Sequence, residues 1–206
     1  MPMRRLAALA LLLPLLAACG ALRSRQPDRN YRMAYTPPTP SGTPVPATLR
    51  VLPFGIAAAY DRQGFVFRDG PYDIDVDNYN RWIAPPSALI TDLIARDLVA
   101  AHAFQAVLQA PSALPATYEL SGWIETLEER EEGTCLAHVR LRALFVRVPE
   151  RGARQVLFED SMTGDEPCMR GDAASVAEAT SRAVQHLSDD LRERMIAAAS
   201  IPAAVP

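Results

Sequence analysis

The most regular set of chemically capable side chains is Asp73, Asp75 and Asp77, with Tyr72, Ile74 and Val76 alternating among them. A period of two predicts a strand whose three carboxylates share one face. Aspartates at such spacing suggest a calcium loop, but that loop needs Gly at its sixth position and Glu at its twelfth. Counted from Asp73, those positions hold Asn78 and Ala84. A solvated strand face is the better reading. The histidines, His102, His138 and His186, form neither an HExxH pair nor a metal cluster. Ser161 lacks the glycines of a nucleophile elbow, and a chain without lysine cannot carry a Gly-rich phosphate loop ending in Lys. These patterns predict no catalytic residue, no metal and no cofactor, although groups distant in sequence could still converge on a reaction.

The three cysteines are more informative. Cys19 follows Leu16-Ala17-Ala18 and precedes Gly20, after a basic head at Arg4 and Arg5 and an apolar run over 6–18 broken only by Pro14. The run is shorter than the roughly 20 residues of a membrane-spanning helix. It matches the hydrophobic region of a signal peptide, so residues 1–18 are predicted to be removed. Small residues before Cys19 suit the groove of a lipoprotein signal peptidase, and the thiol is the nucleophile that accepts a diacylglyceryl group. The expected product is a lipoprotein held by palmitate-like chains on Cys19, each buried methylene adding about 0.8 kcal/mol. Gly20, in place of the Asp that retains many lipoproteins at the inner membrane, predicts an outer-membrane anchor facing the periplasm.

That compartment permits a disulfide. With Cys19 acylated, Cys135 and Cys168 are the only pair left. If residues 156–162 return antiparallel to 137–148, the following chain runs back toward Cys135 and the bond can close. The alternative is two independent thiols, one in the core and one in a loop. No Cys-x-x-Cys is present, so the predicted bond is structural.

The chain carries 21 basic residues, all Arg, and 24 acidic ones. Its net charge of −3 becomes about −5 once Arg4 and Arg5 leave, which argues against nucleic acid as a partner.

Residues 19–48 read as a lipidated, Pro-rich tether, with Pro37, Pro38, Pro40, Pro44 and Pro46 close together and a short strand at Asn30–Met33. Residues 49–199 form one expected domain, and 200–206 a loose tail. Strands are predicted at 49–54, 65–68, 72–79, 104–107, 118–127, 135–148 and 156–162. Asp69-Gly70-Pro71 turns between the second and third. Glu128, Glu129, Glu131, Glu132 and Gly133 read as a solvated hairpin.

A helix capped by Ser87 and ending near His102 carries Leu89, Ile90, Leu93, Ile94, Leu98 and Ala101 on one stripe. A second begins near Asp172 or Ser175, where Ser175 and Glu178 have capping-box spacing. Its packing face is Val176, Thr180, Ala183, Val184, Leu187, Leu191 and Met195. The fold class is α+β, with two amphipathic helices on one face of a mainly antiparallel sheet. The other face carries Arg and Asp side chains toward solvent or a partner.

Trp82 stands between the third strand and Pro85. It either packs that junction or, with Tyr79, Asn80 and Arg81, anchors a partner, since Trp combines large area with few rotors. A strand leading into Trp82, then Ala84, Pro85 and a helix with Leu93 and Leu98, resembles the ABC-type transport auxiliary lipoprotein (PqiC-like) family. Cys19, Tyr31 and the closing Ala-rich helix from 173 add to the resemblance, which runs from about Tyr31 onward.

The resemblance implies a non-catalytic, outer-membrane-side component of an MCE/ABC-type system that moves phospholipid or other apolar molecules. It implies an MCE-domain protein as direct partner and an ABC permease and ATPase as indirect ones. A homo-oligomer matching the partner's symmetry fits the same role. The alternative is a structural or assembly lipoprotein of another outer-membrane or secretion complex.

Overall fold

In the computed structural model, residues 27–131 and 133–201 are described. The signal segment, Cys19, Glu132 and the tail from 202 lie outside the described residues.

The longest alternating stretch in the sequence forms the middle of a three-stranded meander. Strand β8 (Leu136–Arg147) pairs antiparallel with β7 (Tyr118–Arg130) on one side and β9 (Gln155–Pro167) on the other. Ala137, Val139, Leu141, Ala143 and Phe145 all point into the core, none more than 1% exposed. Arg140 and Arg142 face out, as their alternation with those residues requires.

The remaining edge of β7 is shared in series by three short parallel strands. They are β2 (Val45–Val51), β3 (Gly55–Ile56) and β4 (Gly64–Arg68), lying against Tyr118–Leu120, Trp123–Ile124 and Glu129–Arg130 respectively. Beyond β2 lies β6 (Phe104–Gln109), parallel to it. Beyond β4 lie antiparallel β5 (Ile74–Trp82) and then β1 (Arg29–Tyr31), parallel to β5. The Asp69-Gly70-Pro71 turn joins β4 to β5 as expected, Gly70 taking φ +99°. The long pairings are thus antiparallel and the parallel ones short.

Helices α1 (Pro86–Ala100) and α2 (Ala173–Ala199) pack against each other and close the core. Ile90, Ile94 and Leu98 of α1, and Val184, Leu187, Leu191 and Met195 of α2, are buried. Each such side chain contributes about 1.5–3 kcal/mol relative to exposure. Helix α2 lies so close to β9 that a Cβ on Gly164 would stand 2.8 Å from the Ala183 carbonyl oxygen. At this contact only glycine fits.

Several local expectations are corrected. Helix α1 starts at Pro86 with Pro85 at the cap position, and no side chain caps it. Ser87 lies inside the first turn; Pro86 has no N–H to leave unsatisfied, which lessens the need for a cap. The helix stops at His102, which takes φ +51° without being glycine. His102 N–H donates to Val99 and Ala103 N–H to Leu98, the paired bonds of a Schellman ending. Helix α2 is capped by Asp172, which accepts from the N–H groups of Ala174 and Ser175. Ser175 therefore does not cap; its hydroxyl accepts from Met169 N–H at 2.9 Å.

The strand predicted from Leu49 begins at Val45, and β7 runs on to Arg130. The acidic run is accordingly not all solvated hairpin. Glu128 is buried inside β7, accepting from Tyr60 Oη at 2.6 Å and from Arg68 Nε and Arg130 Nε at 2.9 Å each. Two guanidiniums and a phenol replace the water this carboxylate loses.

A second buried carboxylate joins the N-terminal segment to both helices. Asp97 of α1 accepts from Tyr35 Oη at 2.7 Å and from Ser188 Oγ of α2 at 2.8 Å. Arg96 Nη2 completes its shell at 2.7 Å, and the Arg96 guanidinium lies 4.5 Å from the Tyr35 ring centroid. Burial and the Asp97 carboxylate push the Tyr35 hydroxyl far above its ordinary pKa, so it stays a proton donor. Together with Met33, which is buried, these bonds fasten residues 31–35 across the helices.

Candidate functional site

Strand β5 does not keep the predicted alternation. Gly64 pairs with Arg81 but Val66 pairs with Val76, so two steps along β4 correspond to five along β5. The extra residues form a bulge, Asp77–Asn80, built around one carboxylate. Asp77 Oδ1 accepts from Tyr79 N–H at 2.7 Å and Asn80 N–H at 2.9 Å, while Asn80 Nδ2 donates to Oδ2 at 2.6 Å. Partial burial would raise the Asp77 pKa, but these three donors outweigh it and hold the carboxyl below its ordinary value. Asp73 and Asp75 remain exposed, as does Tyr72, so the expected apolar row of Tyr72, Ile74 and Val76 is not a buried face.

The bulge presents the residues singled out in the sequence. Tyr79 stands 43% exposed, and Ile83 beyond the strand is more so. Asn80 Oδ1 accepts from Tyr31 Oη of β1 at 3.3 Å. Arg81 donates to the Asn78 carbonyl at 3.1 Å, while its buried Nε meets no acceptor among the described residues. Trp82 is 4% exposed and lies 4.3 Å from Phe65 between ring centroids, with the Tyr31 ring tilted against Phe65 beyond. Its position fits the packing role at the end of β5, while Tyr79 stands outward and Asn80 and Arg81 are half-buried.

Behind the bulge is a cavity of about 140 Å³ whose walls include Asp77, Asn80, Glu129, Glu131 and Asp172. Burial, and then the neighbouring Glu131 charge, push Glu129 up to about 7. The Glu129 carboxylate also lies within 4.8 Å of the sulfurs of Cys135 and Cys168. Those sulfurs are joined in a disulfide, Cα–Cα 5.1 Å, and so offer no thiolates for a metal. The bond is the one expected from the sequence, tying the start of β8 to the loop before α2.

A second outward surface lies on the sheet face opposite the helices, which the sequence offered to solvent or a partner without singling out Trp123. Trp123 on β7 is 42% exposed on the face away from the helices. Arg140 and Arg142 of β8 surround it with ion pairs, to Glu125 at 2.9 and 3.3 Å and from Arg142 to Glu159 at 3.1 Å. The alternation Trp123-out, Ile124-in was available as a clue, but only once β7 was known to have an open face. An open groove of about 580 Å³ lies elsewhere, beside β6, lined by Pro44, Pro46, Val99, His102 and Phe104 among others. None of these places brings a nucleophile, a base and an oxyanion donor together.

Comparison with known proteins adds the following. The chain is similar in fold to the crystal structure of protein XCC0632 from Xanthomonas campestris, with TM-score 0.73, 20% identity, and coverage of 82% of this chain and 95% of that one. It is also similar to the hypothetical protein CT253 from Chlamydia trachomatis, with TM-score 0.52, 10% identity, and coverage of 75% and 98%. At such identities the likeness speaks for the fold alone. No curated protein matches. A family model described as ABC-type transport auxiliary lipoprotein component matches residues 31–192, from β1 into the last turns of α2.

Proposed function

This chain belongs to the ABC-type transport auxiliary lipoprotein family, and from that premise we propose that it is the outer-membrane-side lipoprotein of an MCE/ABC-type system moving phospholipid or another apolar molecule. Membership carries a non-catalytic, auxiliary role beside an ABC-type transporter and a lipoprotein context in the periplasm or outer membrane. No described helix is long and apolar enough to cross a membrane. On this reading the acyl chains on Cys19 supply the attachment, an MCE-domain protein is the direct partner, and the permease and ATPase are reached through it.

The observation that carries the proposal is the extent of the family match, which takes in β2–β9, α1 and most of α2. The partner surface it favours is the bulge with Tyr79, Asn80 and Arg81, braced from behind by Trp82. The face around Trp123 is a neighbouring candidate, because an exposed Trp ringed by paired charges has the anatomy of a contact centre. Affinity capture of the tagged, full-length protein from cross-linked native membranes tests this. An MCE-domain protein should be recovered, and Tyr79→Ala with Arg81→Ala should reduce recovery about tenfold while the thermal unfolding midpoint stays within a few degrees. Recovery of a β-barrel or cell-wall complex with no MCE-domain protein would replace the proposal with the assembly role.

A further inference from the structure

Three exposed apolar side chains lie at one end of the sheet. Tyr72, 97% exposed, and half-exposed Ile74 mark the tip of the β4–β5 turn, and Met169, 62% exposed, sits on the loop between β9 and α2. Backbone bonds hold these loops in one layer: Glu131 N–H donates to Arg68 at 3.0 Å, and Cys168 N–H to Cys135 at 3.0 Å. Leu114, on the loop before β7, belongs to the opposite end, since β7 starts there and finishes beside Arg68.

Strand β1 runs parallel to β5, with Arg29 opposite Asn80. Followed backward, the chain therefore leaves β1 heading toward the Tyr72 end. About ten residues separate Arg29 from Cys19, which even fully extended span at most about 35 Å. Along β5 the tip at Tyr72 lies about 18 Å beyond Asn80, because the Asp77–Asn80 bulge gathers five steps of β5 into two of β4. The difference, about 17 Å, is the farthest the tip can stand from a surface that holds Cys19 while the chain keeps its heading.

We propose that this end of the domain rests on a phospholipid bilayer, with Tyr72 and Met169 entering the headgroup layer and the Leu114 end turned away. The inference rests on the Cys19 anchor of the preceding section. A tyrosine, apolar in body and polar at its tip, suits that layer. A bilayer also accepts isolated apolar side chains without the shape match a protein partner requires. Asp69, Asp73 and Asp75, exposed beside Tyr72, disfavour a strongly anionic surface, so the occupant is a zwitterionic bilayer.

The test uses full-length, acylated protein in phosphatidylethanolamine–phosphatidylcholine vesicles containing a nitroxide-headgroup lipid. Tyr72→Cys, Met169→Cys and Leu114→Cys each receive a fluorophore. With Cys19 acylated and Cys135 bonded to Cys168, the introduced thiol is the reactive one. Intact mass of the same sample reports the acyl group. Quenching at 72 and 169 should exceed that at 114 several-fold. An acylated chain with equal quenching at all three positions, or most at 114, would overturn the proposal and leave the anchor standing. Protection of position 72 that requires an added envelope protein would overturn it in favour of a protein contact, and absence of lipid on Cys19 would remove anchor and proposal together.

Discussion

The meander β7–β8–β9 and the corner where β5 meets β1 obey the same hydrogen-bonding rules and solve opposite problems. In the meander, long antiparallel registers bury one side of β8 along its length, and a slip by one residue would turn Ala137–Phe145 out of the core. Its shape follows from a pattern repeated many times. The corner has three paired residues in β1 and a bulge in β5, and its shape depends on a single carboxylate with three donors. Redundancy makes the first region a scaffold. The second, held by few bonds and leaving Tyr79 outward, is free to be specific.

The contrast can be broken most strongly at the disulfide. Replacing both Cys135 and Cys168 with Ser opens a cross-link spanning 33 residues, which on the chain-entropy account costs about 3.5 kcal/mol. Urea unfolding should show that loss as a lower midpoint, with the meander and α2 unfolding together; an unchanged midpoint would mean that packing alone sets the register.

Asp77→Ala probes the corner. Loss of a carboxylate that serves two backbone N–H groups, as a helix cap does, should cost about 1 kcal/mol in urea unfolding. Amide exchange should quicken at Tyr79 and Asn80 and stay unchanged in β8. Quickening across β8 as well would show that the corner and the meander are one cooperative unit.

The third effect, read in pH rather than in a lost contact, is expected where the regions meet, at Glu129. Its carboxyl is pushed up to about 7 from an ordinary 4.5, by burial and then by the Glu131 charge. Between those values the folded chain holds a proton that the unfolded chain has released, so this group's contribution to stability falls as pH rises from about 4.5 to 7. Glu129→Gln should flatten that part of the stability profile, measured as unfolding midpoints at pH 5 and pH 7.5. A slope equal to that of the parent protein would assign the effect to other groups.

What could be read in advance divides along the same line. Alternation in 135–148 and the helical stripe from Val176 to Met195 each state one preference many times over, and both elements formed as expected. The Cys135–Cys168 pairing followed from that regular return of the chain. Glu128 looked like part of a solvated hairpin because its partners, Tyr60 and Arg68, come from about sixty residues away, beyond any local pattern. Asp77 looked like one of three equivalent aspartates; only the unequal spacing against β4 makes it a bulge-former. At the corner, the sequence left open whether Trp82 packs or protrudes, because that depends on Phe65 and Tyr31, which sequence adjacency does not supply. Trp123 escaped notice because its exposure depends on which face of β7 the helices leave open.

The fastening of residues 31–35 has a mechanical consequence. Because β1 is parallel to β5, a pull from the N-terminal side acts along the strand axis and loads the bonds of the pair in shear, together. Peeling, by contrast, would break them one at a time. Should β1 slide, the tension passes to the Ala34 N–H bond to Ser181 Oγ, 3.1 Å, and to Tyr35 on Asp97. Both attachments end on helices, whose side chains interlock with the core. Traction applied at the N-terminal side would therefore be met by the domain as a body, with residues 31–35 serving as a strain relief.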